Sequence, residues 1–292
     1  MEYVLQSKNL IKKYGEFKAL NNLNIHIPKG SIYGLIGKNG AGKTTLIRMI
    51  CGLQKITDGE IILDENIKLG AIIEHPAIYE ELSARDNLMI MFKLVGNSKY
   101  EDIDNLLKLV NLDVDDSKKV EHYSLGMKQR LGIAISLINH PDFLLLDEPI
   151  NGLDPEGIIE IRELLLKLSK EKKITILISS HYLDELSKIA THYGFMEKGS
   201  IIKEISKKDL EKSLLKKVHL CVNDIKKVIP ILKKLKINYE ILDDKNINLL
   251  GDIDIQEILS TLKDKSIKVL KIEQIDETLE NYFINLLGGK ND

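Results

Sequence analysis

The stretch GKNGAGKTT, Gly37 to Thr45, decides the fold of this chain, because it fits the phosphate-binding pattern G-x-x-x-x-G-K-[ST] with Thr44 in the last place. The apolar run Ile32 to Ile36 ahead of it reads as a buried strand. Leu46, Ile47, Met49 and Ile50 behind it suit a helix, and strand–loop–helix is the context the pattern requires. Gly37, Gly40 and Gly42 let the backbone turn successive N–H groups onto a phosphate, with Lys38, Asn39, Ala41 and Thr45 completing the cradle at the positive end of the helix. Lys43 then reaches the β/γ-phosphate oxygens of a nucleoside triphosphate, and the Thr44 hydroxyl helps to hold Mg²⁺.

Working outward, residues 2–30 alternate like β structure, with Tyr14 on a connection where an aromatic can stack on a base. A hairpin is expected from Glu60–Leu63 and Ile67–Ile73, after which Glu74 sits where a strand runs out. Ser83 can cap a helix starting near Ala84, and helical patterns continue over Asp102–Leu112 and Leu125–Ile138. The run FLLLDEP, Phe143 to Pro149, reads as a strand buried on both faces that ends in two carboxylates, Asp147 and Glu148. Asp154 followed by Pro155 makes a good helix start, and the strand Ile174–Ile178 runs into Ser179, Ser180 and His181. Ligands of open α/β sheets bind outside the carboxyl ends of the strands, which gathers Asp147, Glu148, His181 and the Gly37–Thr45 loop at one edge.

From about Ser206 the style changes. Lysine pairs become frequent, read here as solvated helix faces, and the expected order is strand (Val218–Val222), helix (Asp224–Leu235), strand (Tyr239–Leu250), helix (Ile255–Leu262), strand (Ile267–Ile272) and helix (Thr278–Leu287). Pro230 falls inside the first of these helices.

Composition narrows the class. Of 292 residues, 43% are apolar and 29% charged, which is globular usage, and no apolar run approaches the roughly 20 residues that a bilayer span needs. Glu2 leaves no apolar signal core, and Cys51 and Cys221 show no metal-ligand spacing, so a cytoplasmic chain with reduced thiols is expected. A net charge of −2 gives no general attraction to nucleic acid.

A phosphate loop alone does not separate kinases, GTPases and ATPases. The segment YSLGMKQRLGIA, Tyr123 to Ala134, resembles the signature of ATP-binding-cassette (ABC) ATPases. That resemblance places Ser124, Leu125, Gly126 and Met127 at a helix N-terminus facing the γ-phosphate of ATP held by the opposite subunit. In the same order over roughly the first 200 residues it implies Tyr14 as the adenine-stacking aromatic and Gly37–Thr45 as the phosphate loop. Asp147 becomes the carboxylate near Mg²⁺, Glu148 the catalytic carboxylate, Asp154 of NGLD part of the loop crossing the dimer, and His181 the switch histidine. Where many ABC ATPases have glutamine, IIEHP supplies Glu74, a further candidate for Mg²⁺; this wording resembles ATPase subunits of bacterial exporters that confer bacitracin resistance or lantibiotic immunity.

The resemblance implies an α/β P-loop NTPase of the ABC type over residues 1–205: a RecA-like core, an N-terminal antiparallel β subdomain and a helical subdomain at about 79–138. A small C-terminal α+β domain over 206–292 comes next. It further implies ATP and Mg²⁺ as cofactors, an ATP-dependent dimer, homodimer first with heterodimer the open alternative, separate membrane permease subunits, cargo not bound by this subunit, and a peripheral place on the inner face of the cell membrane. A soluble ABC ATPase in translation or DNA maintenance would be supported by tandem cassettes or a long coiled-coil insertion, and neither is present. A non-hydrolysing assembly module is disfavoured by the intact Glu148 and His181.

Overall fold

The computed structural model describes residues 2–288 apart from 214, 215, 252, 266 and 277. The chain divides into two compact units, Met1–Lys207 and Lys208–Asp292.

The first unit opens with β1 (Tyr3–Tyr14), β2 (Phe17–Pro28), β3 (Ile32–Gly37), α1 (Lys43–Ile50), β4 (Asp58–Leu63) and β5 (Leu69–Ile72). Helices α2 (Ala84–Leu94), α3 (Asp102–Leu109) and α4 (Leu125–Ser136) come next. Alternation then resumes with β6 (Phe143–Asp147), α5 (Pro155–Lys172), β7 (Thr175–Ser180), α6 (Leu183–Ile189), β8 (His192–Glu197) and β9 (Ser200–Ser206). The side chains that start the helices do so as capping chemistry requires: Ser83, Ser124 and Asp154 accept from the backbone N–H of Asp86, Met127 and Gly157.

A six-stranded sheet runs β5-β6-β7-β3-β8-β9, parallel except for the last strand. Every residue of β3, β6 and β7 is buried, the mark of central strands covered on both faces. These three strands are neighbours, so the Gly37–Thr45 loop, Glu148 and His181 at their carboxyl ends all emerge at one edge. A separate antiparallel sheet, β2-β1-β4, buries Leu5, Leu23, Ile25 and Ile27 in the same core as Leu46 and Ile47 of α1 and Leu145 and Leu177 of the parallel sheet.

Two expectations are corrected. Residues 60–63 and 67–73 do not form a hairpin: β4 pairs antiparallel with β1, whereas β5 pairs parallel with β6. The second run is committed by Lys68, whose carbonyl accepts from the N–H groups of Asp142 and Phe143 and whose own N–H donates to Asp142 Oδ2. The stretch 239–250 is likewise two strands, because Asp243 Oδ1 accepts from the N–H groups of Lys245 and Asn246 and turns the chain. Residues 182–205, for which the sequence offers no element, form α6, β8 and β9.

The second unit contains α7 (Lys207–Ser213), which starts at the end of the first, β10 (Lys216–Val222), α8 (Ile225–Lys234), β11 (Asn238–Ile241), β12 (Asn246–Leu250), α9 (Ile255–Asp264), β13 (Val269–Asp276) and α10 (Leu279–Gly288). Its antiparallel sheet has the order β11-β12-β10-β13. From β10 to β13 this is the β-α-β-β-α-β arrangement called ferredoxin-like. Alternate residues Val218, Leu220 and Val222 of β10 share a core with Val228 and Leu232 of α8 and Ile258 and Leu262 of α9. Pro230 lies on the exposed side of α8, where its ring disturbs no packing.

Gly194 in β8 faces the ring of fully buried Tyr33, and a Cβ built there would stand 2.2 Å from the phenolic oxygen. That oxygen donates to Glu204 Oε1 at 2.6 Å, so the ring has no room to yield. Burial, and then the Glu204 charge, hold the phenol well above its ordinary pKa. Gly194→Ala should lower stability by about 1–3 kcal/mol, the usual effect of overpacking, seen as a lower urea midpoint with an unchanged slope.

Candidate active site

The phosphate loop lies between β3 and α1. Gly42 has φ +107°, and a Cβ on it would come within 2.6 Å of the Ala19 carbonyl oxygen. Because glycine offers no side-chain cap, the first-turn N–H groups of α1 remain suited to an anion. Lys43 is only 6% exposed. Its ammonium donates to the Gly37 carbonyl at 2.7 Å and stands 3.3 Å from Glu148 Oε1.

Asp147, the last residue of β6, is 2% exposed and uses both oxygens: Oδ2 accepts from Thr44 Oγ1 at 2.7 Å and Oδ1 from Ser179 Oγ at 2.6 Å. Ser179 is brought there by register, since it pairs with Asp147 across β6 and β7. The same hydroxyl accepts from the Glu148 N–H at 2.9 Å. Glu148 has φ +49°, a conformation that costs a non-glycine residue about 1–3 kcal/mol and that swings the carboxylate toward the loop. Its Oε2 lies 2.8 Å from His181 Nδ1 and also accepts from the His181 N–H at 3.3 Å. Lys43, Glu148 and His181 therefore form one continuous chain of charge-assisted contacts.

A cavity of about 300 Å³ is lined by Asn39 through Thr45, Glu148, Ala19, Tyr14 and Phe17. Tyr14 donates its hydroxyl to Gln54 Oε1 at 2.6 Å and has Lys12 Nζ 5.0 Å from its ring centroid. Phe17, directly opposite Tyr14 in the hairpin, is 63% exposed. The hairpin and the loop are joined by Gly199 in the β8–β9 turn, whose N–H donates to the Ala41 carbonyl while its carbonyl accepts from the Asn21 N–H. A larger cavity, about 760 Å³ around Leu106, Lys108, His140 and Lys172, contains none of the loop residues.

The donor set at Thr44 and Asp147 is all oxygen, which suits a small hard divalent cation such as Mg²⁺. Among the described residues no group of three or more His, Cys, Asp or Glu could hold a metal by itself. A cation here would complete its shell from nucleotide oxygens and water.

Ser124 and Asp154 cap neighbouring helices: a Cβ on Gly126 would meet the Gly157 Cα at 3.7 Å, and one on Gly152 would meet Leu125 Cδ2 at 3.3 Å. Ser124, Leu125, Gly126, Met127 and Asp154 do not line the loop cavity, and Leu125 is half-exposed. Glu74 does not join Thr44 and Asp147. It pairs with Arg48 Nη2 at 3.0 Å instead, beside an apolar groove of about 380 Å³ lined by Leu53, Ile72, Pro76, Gly132 and Ile135 among others. Sequence reasoning misses Ser179, Phe17 and Arg48 as members of the site. Only Ser179 carries a signal, its place at the end of an apolar strand.

The family described as "ABC transporter" matches residues 20–151. The chain is similar to the "Bacitracin transport ATP-binding protein BcrA" of Bacillus licheniformis, 41% identical over 302 residues and 99% of each chain. It is also similar to the "Lantibiotic transport ATP-binding protein SrtF" of Streptococcus pyogenes, 48% identical over 69% of this chain and 90% of that one. Among solved structures, a dimeric ATP-binding cassette in a post-hydrolysis state with ADP and Pi superposes with TM-score 0.61 at 26% identity, covering 70% of this chain and 98% of the other.

Ser179→Ala removes the donor to the buried Asp147 Oδ1, while the Glu148 N–H keeps a contact with the Ser179 carbonyl at 3.2 Å. Leaving that carboxylate oxygen without its partner should lower stability by about 1–3 kcal/mol, read from urea denaturation, with a parallel fall in ATP turnover.

Proposed function

The chain belongs to the ABC transporter family of ATP-binding subunits, whose members hydrolyse ATP, and on that premise we propose that it energises export of a peptide antibiotic through separate membrane subunits. Bacitracin, a lantibiotic or a related amphipathic compound is the class of cargo, bound by the permease and not by this subunit. Full-length similarity to a bacitracin transport protein supports this branch, as does the Glu74 wording of the chain. Among the described residues no helix is long and apolar enough to cross a membrane. The subunit is assigned to the inner face of the cell membrane, with the groove beside Glu74, His75 and Pro76 as the permease contact.

The observation that carries the hydrolytic reading is the Lys43–Glu148–His181 chain. Lys43 exchanges the Gly37 carbonyl and Glu148 for phosphate oxygens, and the loop N–H groups share that load. Glu148, released from Lys43, accepts the proton of an attacking water, while His181 holds the γ-phosphate in line. Thr44 and Asp147 would hold Mg²⁺, which when bound would supply charge neutralisation at the nucleotide phosphates. Tyr14, together with Phe17, stacks on the adenine. Ser124–Met127 and Asp154 lie outside the loop cavity, which supports their use across a head-to-tail homodimer, the helix N-terminus of one copy facing the γ-phosphate held by the other.

Glu148→Gln should keep ATP binding, lower phosphate release by about 10²–10⁴-fold and accumulate an ATP-dependent dimer on size exclusion. Undiminished hydrolysis would overturn the assignment. Lys43→Ala should weaken ATP affinity by at least about tenfold in a fluorescent-nucleotide titration, the loss expected for a charge-assisted contact to phosphate. Expressed with its membrane subunits, the wild-type chain should raise the concentration of bacitracin or lantibiotic that a sensitive cell survives, and Glu148→Gln should abolish the increase.

A further inference from the structure

Glu74 stands just beyond the carboxyl end of β5, the strand beside β6, and its carboxylate is held by Arg48 of α1. We propose that Arg48 is the positioning residue for Glu74, holding its carboxylate on the helix that carries Thr44 and releasing it toward the Thr44–Asp147 pair when magnesium nucleotide binds. This assignment rests on the nucleotide reading of the site.

Three observations converge on it. Arg48 lies four residues after Thr44 on α1, so the two share a helix face about 6 Å apart along the axis. The Arg48–Glu74 contact of 3.0 Å therefore ties the carboxylate to the helix that also carries the hydroxyl bonded to Asp147. Second, β5 runs parallel to β6 with Ile72 opposite Leu146, so an extended continuation would carry residue 73 alongside Asp147. The chain leaves that course at Glu74, which has φ +63° at the centre of a three-residue turn closed by the His75 N–H and the Ile73 carbonyl at 2.8 Å. A left-handed turn of this kind is rare and strained for a residue with a side chain, and persists only where its surroundings hold it. Third, Pro76 anchors the far side of the turn, packed so closely on Gly132 that a Cβ there would lie 2.5 Å from the proline Cβ.

An exposed ion pair contributes little by itself. Set against a strained turn, a small term is enough to decide between two positions, and a latch that must open needs no more. A cation in the last turn of α1 also favours the helix C-terminus, but that role makes no demand on the turn at residues 73–75.

The test is hydrogen–deuterium exchange over residues 73–77 of the full chain. Without nucleotide, Arg48→Gln should speed exchange about fivefold, the ratio expected from losing one such pair, and Arg48→Lys should stay within about twofold of wild type. Glu74→Ala should loosen the segment similarly, and the double variant should add nothing to either single one. In the Glu148→Gln background, Mg²⁺ and ATP give Glu74 a second holder, so the loosening caused by Arg48→Gln should shrink; a loosening of the same size with and without nucleotide overturns the handover. Unchanged exchange in Arg48→Gln without nucleotide, or additive effects of the two substitutions, overturns the proposal. If ATP does not bind the Glu148→Gln protein, the function fails instead, and the comparison without nucleotide still decides the role of Arg48. Urea midpoints of the variants separate this local loosening from general destabilisation.

Discussion

A lysine ammonium with 6% exposure cannot sit in a folded chain without partners, and most of the first unit is arranged to supply them to Lys43. One comes from the end of β3, the Gly37 carbonyl, and one from the residue after β6, Glu148. For both to reach the same nitrogen, β3 and β6 must lie within one strand of each other, parallel and in a fixed register. The intervening strand, β7, provides that spacing and adds Ser179, which ties Asp147 and the Glu148 backbone into the same cluster. The site is thus a consequence of strand order. Lys43, Asp147, Glu148 and His181 each have a partner within the chain, and ligand binding at Lys43 becomes an exchange of partners.

The parts of the fold that are legible in the sequence rest on patterns with a local cause. A glycine-rich loop after an apolar run, Ser83, Ser124 and Asp154 before helical periodicity, and FLLLD ending in carboxylates each announce their structure through nearest neighbours. The parts that are not legible depend on distant partners. Residues 60–73 have the composition of a hairpin, but whether two strands pair with one another or with others is decided by Lys68 meeting Asp142, 74 residues away. Strand β12 escapes separation from β11 because Asn246–Leu250 and Asn238–Ile241 alternate alike, and only Asp243 marks the break.

The same distinction holds within the site. Lys43 and Thr44 are legible from the loop pattern, and Asp147, Glu148 and His181 from their places at the ends of apolar strands together with the family resemblance. Ser179 is visible only as the end of a strand, and its bond to Asp147 becomes apparent once β6 and β7 are in register. Glu74 stands out as a departure from a pattern, yet its partner Arg48 lies on a helix with no sequence mark linking the two. Tyr14 reads as an isolated ring; Phe17 opposite it makes the pair, and that depends on the turn between the strands.

Gly199 has one further consequence. Its two backbone bonds reach Ala41 on one side and Asn21 on the other, and a Cβ on it would lie 2.6 Å from the Ala19 carbonyl oxygen. A single residue of a remote turn is thereby wedged between the anion cradle and the ribbon that carries the two rings. It acts as a gauge block: the spacing between the glycine-rich loop and the hairpin is set by backbone dimensions, which no side-chain rotation can alter.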